Sequence, residues 1–173
     1  MHILSGLDNL FLSQDKANQH MHVAGLGIYD QSTAKGGSVR FKSILEFFTS
    51  HLNDLPIFRR RLVHPPLGID RPYWVEIDDL DVEYHVRHLG LPHPGDWRQL
   101  MIQIARIHSR PLDKTKPLWE AYIIEGLDNI PNIKEGSFAL YIKCHHAMVD
   151  GQMGAQVLQA FHSLTADFEP TMI

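Results

Sequence analysis

The sequence predicts an α/β domain, with helices packed on a mixed sheet. Two segments, Phe41 to Leu52 and Trp97 to His108, repeat apolar residues at helical spacing. Three shorter runs, His22 to Tyr29, Leu118 to Ile124 and Ser137 to Cys144, have the length and composition of strands. No strict βαβ rhythm joins them, so a two-layer α/β or α+β sandwich is expected. The chain has 173 residues, 44% hydrophobic and 21% charged, which is one domain of ordinary globular composition. Folding at this size buries roughly 70% of the unfolded chain's surface, enough for a core without staples.

In chain order, Ser5 caps a helix from Gly6 to Leu12 that aligns Leu7, Leu10 and Phe11. The strand His22–Tyr29 puts Ala24, Leu26 and Ile28 on one face and glycines on the other. Gly36-Gly37 breaks the chain, and Ser38 caps a helix reaching Leu52 whose stripe is Phe41, Ile44, Leu45, Phe48 and Leu52. Phe58 to His64 and Pro72 to Ile77 read as strands separated by Pro65-Pro66. Asp78 to Pro94 is acidic, then histidine-rich. Asp96 caps the next helix, which carries Trp97, Leu100, Met101, Ile104 and His108 and stops before Pro111. A turn over Asp128 to Gly136 joins the last two strands. A final helix, Gly151 to Leu164, presents Met153, Val157, Phe161 and Leu164 inward. Residues 165–173 read as the start of a linker, leaving 1–164 as the folded lobe.

Composition excludes several classes. The single cysteine, Cys144, cannot close an internal disulfide, which points to a reducing, cytoplasmic setting. A net charge of −4 offers no excess cation for a nucleic-acid backbone. The N-terminus lacks the layout of a signal peptide, and no run approaches the roughly 18 apolar residues of a membrane span. P-loop, GxGxxG, GxSxG and CxxC motifs are missing, so nucleotide, serine-hydrolase and redox chemistry have no support.

The sharpest feature is His145-His146-Ala147-Met148-Val149-Asp150-Gly151 at the end of the last strand. Strand parity puts Phe138, Leu140, Ile142, Cys144 and His146 on one side, and Ala139, Tyr141, Lys143 and His145 on the other. An imidazole, with an ordinary pKa of about 6.5, can take a proton near neutral pH. As a general base it is worth roughly 10²–10⁴-fold. His146 is the candidate base, His145 the residue that orients the loop, and Asp150 with Gly151 fixes the turn. A strand-end histidine pair that is only hydrogen-bonded would have the same local sequence. Histidines on opposite faces of a strand cannot share one metal ion, so no metal is expected at this motif. His20, His22, His85 and His88 are expected to be loop or surface imidazoles. Arg59 to Arg61 are expected to be solvated or ion-paired, rather than reserved for coenzyme A phosphates or a membrane.

The His145–Gly151 segment resembles the HHxxxDG motif of the chloramphenicol-acetyltransferase-like acyltransferases. More of the chain is similar to the N-terminal lobe of one branch, the bacterial wax ester synthase/diacylglycerol acyltransferase family. The similarity rests on Ser5–Leu12, Met21–Leu26, Pro56–Leu62, His85–Leu89, Leu91-Pro92 with Pro94-Gly95, Pro111–Asp113 and Pro117–Glu120, in that order. It implies transfer of a fatty acyl group from acyl-coenzyme A, as co-substrate, to a fatty alcohol or diacylglycerol, with no resident cofactor. It also implies His146 as base, His145 as support, direct attack without a covalent Cys144 intermediate, and Pro117, Leu118 and Trp119 as residues shaping the substrate pocket. The expected partner is a complementary C-terminal lobe closing the channel and, by resemblance, pairing with Asp150. A peripheral position at the inner membrane or a lipid body fits such substrates. The alternatives are a non-catalytic lobe binding a lipid surface or partner, and another acyltransferase or condensation domain of the same fold.

Overall fold

A computed structural model describes residues 1–52, 55–149, 154, 161 and 162. The predicted final helix lies mostly outside these residues, as do Asp150, Gly151 and the stretch 163–173.

Strands β2 (His22–Tyr29), β5 (Val86–Gly90), β6 (Trp119–Glu125) and β7 (Phe138–His145) form one sheet in the order β2-β7-β6-β5. β7 runs antiparallel to both neighbours, and β5 is parallel to β6. A parallel neighbour requires a crossover, supplied here by helix α4 (Trp97–His108). A second, antiparallel sheet joins β1 (His2–Ile3), β4 (Tyr73–Glu76) and β3 (Arg60–Val63). Helices α1 (Gly6–Gln14), α2 (Phe41–Leu52) and the four-residue α3 (Val82–His85) join them, with two short 3₁₀ turns.

The expected mixed sheet with packed helices is present, but helices cover both of its faces. β6 is buried at Trp119 through Ile124, so it feeds two cores. Trp119, Ala121 and Ile123 pack with Phe48, Leu52 and Phe58 on the α2 side. Tyr122 and Ile124 pack with Leu100 and Ile107 of α4 on the other. A strand buried on both faces loses polar alternation, so its sequence does not show whether one or both faces are covered.

Local chemistry explains most element ends. Ser5 Oγ accepts the Asp8 N–H at 3.1 Å, and Asp96 Oδ1 accepts the Gln99 N–H at 2.8 Å, each relieving one orphan donor of a first helical turn. Helix α1 runs two residues past the predicted Leu12. Helix α2 begins at Phe41, three residues after Ser38. Phe58 and Arg59 belong to a 3₁₀ turn (Pro56–Arg59) ahead of β3. Helix α4 exposes Trp97 and Met101, whereas Leu100 and Ile107 are buried. The histidine-rich segment, whose His85 and His88 are expected to be loop or surface imidazoles, contains β5. Its His85 is 1% exposed, stacked on Trp119 with Nδ1 2.7 Å from the Trp119 carbonyl. Arg59 donates to the carbonyls of Ile77 and Asp78, in line with a paired arginine.

Lys143, wholly buried on the α4 side of β7, donates to the carbonyls of Ile107 (3.0 Å) and Arg110 (2.9 Å) and lies 3.4 Å from Glu120 Oε2. Its cation thus caps the negative C-terminal end of α4 and is itself fully bonded. Glu120 also accepts the Tyr122 hydroxyl at 2.7 Å. This polar cluster seals the face of β7 opposite the candidate site.

Candidate active site

β2 and β7 are joined over eight residues, from His22 opposite His145 to Tyr29 opposite Phe138. On the α2 side of this pair lies an open, mainly apolar cavity of about 440 Å³. Gly25 and Gly27 line it beside Leu140 and Ile142, with Cys144 and His146 towards one end and Tyr29 and His162 towards the other. The run from Cys144 to Phe138 spans about 20 Å of strand. The absence of side chains at Gly25 and Gly27 leaves this space open. A Cβ on Gly25 would meet nothing within 4 Å, and one on Gly27 would come 2.9 Å from the Tyr29 ring.

The parity of β7 is as the sequence requires. His146, in the turn that follows the strand, shares the cavity with Leu140, Ile142 and Cys144. Its ring stacks on Phe11 of α1, with centroids 4.0 Å apart, and its backbone N–H donates to the Met21 carbonyl at 2.7 Å. Nδ1 of His146 is buried with no hydrogen-bond partner among the described residues.

His145 lies on the other side and is fully buried. Its N–H donates to the Leu118 carbonyl at 2.9 Å, its carbonyl accepts the Met148 N–H, and its Nδ1 accepts the Ala147 N–H at 3.0 Å. Burial lowers its pKa to about 4, with Asp15 acting in the opposite direction, so the ring is neutral at physiological pH. Its Nδ1 and carbonyl thus bind the two loop amides that follow, those of Ala147 and Met148.

Pro117, Leu118 and Trp119 are buried, and none of them lines the described cavity. Trp119 points into the core, where its Nε1 donates to the Phe58 carbonyl at 2.9 Å and its ring meets Phe58 edge to face. The segment acts behind the site, because the Leu118 carbonyl and the pairing of Trp119 with Cys144 hold the strand that carries both histidines. Cys144 reaches the cavity, but burial pushes its thiol up to about 12, so it is not a thiolate nucleophile near neutral pH.

The scattered histidines are not all bland. Asp15, His20 and His22 each bring a ligand-type atom within 4.8 Å of the others; the His20-x-His22 spacing is readable in the sequence, the approach of Asp15 is not. His22 Nδ1 lies 3.4 Å from the His108 carbonyl, and burial, reinforced by the Lys143 cation, lowers the His22 pKa to about 4. Lys114 Nζ is 2.8 Å from the Asp15 carboxylate. Two ammonium groups therefore already compensate or oppose charge at this cluster, which disfavours a dication there.

A two-histidine strand end beside an apolar cavity, on a mixed sheet of this topology, defines the fold shared by acyltransferases and condensation domains. The first condensation domain of the calcium-dependent antibiotic synthetase superimposes with a TM-score of 0.70 at 18% identity, covering 92% of this chain and 36% of that one. This likeness shows the fold alone. The chain belongs to the wax ester synthase/diacylglycerol acyltransferase catalytic domain family, which matches residues 4–172. It is 37% identical over 161 residues to the O-acyltransferase WSD of Acinetobacter baylyi, covering 92% of this chain and 32% of that protein. It is 35% identical over 171 residues to a probable diacylglycerol O-acyltransferase, tgs2, of Mycobacterium tuberculosis, covering 96% and 35%. The wax ester synthase/diacylglycerol acyltransferase structure from Marinobacter aquaeolei VT8 matches with a TM-score of 0.70 and 31% identity, over 91% of this chain and 37% of that one. The chain thus spans about a third of the length of these relatives.

Proposed function

We propose that this lobe carries the base of a fatty acyl transfer from acyl-coenzyme A to a long-chain alcohol, giving a wax ester, or to diacylglycerol, giving triacylglycerol. The observation that carries the reading is the His146 ring at the end of an apolar cavity floored by glycines, with Nδ1 buried. In this reaction His146 Nε2 takes the proton of the acceptor hydroxyl as its oxygen attacks the thioester carbonyl. The tetrahedral intermediate expels the coenzyme A thiolate, to which the proton passes. The thioester is already activated, so the step calls for no resident cofactor, and attack is direct.

By resemblance Asp150 and Gly151 are the structural residues of the motif, and Pro117, Leu118 and Trp119 support the strand that carries His145. A complementary lobe is the partner expected to close the channel. Apolar substrates favour a peripheral position at a membrane or lipid-body surface. Leu67 and Ile69, 98% and 80% exposed on the β3–β4 connection beside Arg71, suit such contact. No helix among the described residues is long and apolar enough to cross a membrane.

The test is palmitoyl transfer to hexadecanol with the complementary lobe present. His146→Ala is expected to lower coenzyme A release by about 10²–10⁴-fold. Release at the wild-type rate would remove the assignment.

A further inference from the structure

Asp15, directly after α1, is almost out of solvent, its side chain 6% exposed. One carboxylate oxygen, Oδ2, meets Lys114 Nζ at 2.8 Å and faces His145 Nε2 at 3.7 Å. The other, Oδ1, accepts the Met21 N–H at 3.2 Å and lies 3.3 Å from His20 Nδ1. The carbonyl of Met21 in turn accepts the His146 N–H at 2.7 Å. One carboxylate therefore faces the ring of His145 at 3.7 Å and is hydrogen-bonded, through Met21, to the backbone of His146.

The bonding at His145 fixes its proton. The Ala147 N–H can only donate, so the Nδ1 it approaches at 3.0 Å must present a lone pair. A neutral imidazole then carries its hydrogen on Nε2, which is buried and has no hydrogen-bond partner within normal distance. The nearest acceptor this N–H faces is the Asp15 carboxylate, 3.7 Å away, an N–H to carboxylate contact with a neutral ring. The opposite tautomer would set an N–H against the Ala147 amide and a lone pair against a carboxylate, two repulsive contacts inside the protein.

We propose that Asp15 is a positioning residue, which holds His145 as the Nε2–H tautomer and, through Met21, sets the backbone of His146 so that its ring stays at the cavity. Phe11, on the preceding helix, stacks on that ring, so α1 and Asp15 together form a bracket around the motif. The inference rests on His146 being the base of acyl transfer.

The experiment is a mutant cycle in the protein with its complementary lobe, read by steady-state acyl transfer and by nitrogen NMR of labelled histidine. Asp15→Asn is expected to lower kcat by about 10²-fold, the cost of a misplaced base, with KM for acyl-coenzyme A unchanged. Asp15→Glu, which keeps the carboxylate, restores most of the rate and covers the case in which the asparagine variant does not fold. Asp15→Asn adds no further loss in a His146→Ala background, since both act through one imidazole. The His145 nitrogens show one protonated Nε2 and one bare Nδ1 in the wild type, and this pattern averages in Asp15→Asn. A wild-type kcat in Asp15→Asn, losses that multiply with those of His146→Ala, or an unchanged nitrogen pattern would overturn the proposal. If His146→Ala alone keeps full activity, the catalytic reading falls instead, and the nitrogen spectra still decide the tautomer.

Discussion

His145 and His22 face each other across the β2–β7 ladder, and burial holds both well below the ordinary imidazole pKa, near 4. Their neutrality has a thermodynamic consequence. In the unfolded chain each takes its proton near pH 6.5, but in the folded protein only near pH 4. Between these values the unfolded state binds more protons, so stability falls as the pH drops from about 6.5 towards 4, by up to about 1.4 kcal/mol per pH unit for each group. Asp15 adds a second loss at lower pH. Burial raises its pKa, but Lys114, the Met21 N–H and His20 outweigh that and hold it below the ordinary carboxylate value of 3.8. Urea midpoints measured from pH 7.5 to 4.5 are expected to decline below about pH 6.5, and less steeply in His22→Gln. A midpoint constant down to pH 5 would contradict this placement of the histidines. The sequence already made the two motif histidines legible, because strand parity alone separates His146 from His145. Asp15 was not legible, since only the antiparallel register brings the residues after α1 against the end of β7.

At the scale of the element, β2 supplies the feature that most directly shapes the site. Its glycines were readable as one face of a strand, but the sequence did not say that this face floors a cavity. Gly25 and Gly27 also differ in a way only the structure reveals. The space above Gly25 is free, whereas Gly27 makes room for the Tyr29 ring. Gly25→Leu is therefore expected to fold at least as stably as the wild type, because glycine is entropically costly in a strand. It should shift the product ratio from mixed octanoyl- and palmitoyl-coenzyme A towards the shorter chain. An unchanged ratio would show that the substrate chain does not run along β2. Elsewhere, caps and apolar stripes made α1, α2 and α4 readable to within a few residues, and β2 and β4 were close as well. β5 escaped because its side chains are half charged or imidazole, and its strand state comes from pairing with β6 rather than from its own pattern.

For the molecule as a whole, the sheet divides the labour between its faces. One face is sealed by α4 and by the buried Lys143–Glu120 cluster, so it provides rigidity. The other carries α2 and the large core, and opens over β2 and β7 as the apolar cavity that holds His146. The fold class and family were legible because several separated segments and the HHxxxDG motif fell in one order along the chain. The double-sided core was not, because an apolar strand reads the same whether one or both of its faces are covered. The central claim is that His146 acts as a base, not merely as a wall of the cavity. Single-turnover transfer to hexadecanol and to a hexadecanol fluorinated beside its hydroxyl, in wild type and His146→Ala, tests this most directly. A more acidic hydroxyl needs less help to lose its proton, so the variant's defect is expected to shrink markedly with the fluorinated acceptor. An equal defect for both acceptors would contradict the account and leave His146 a positioning role only.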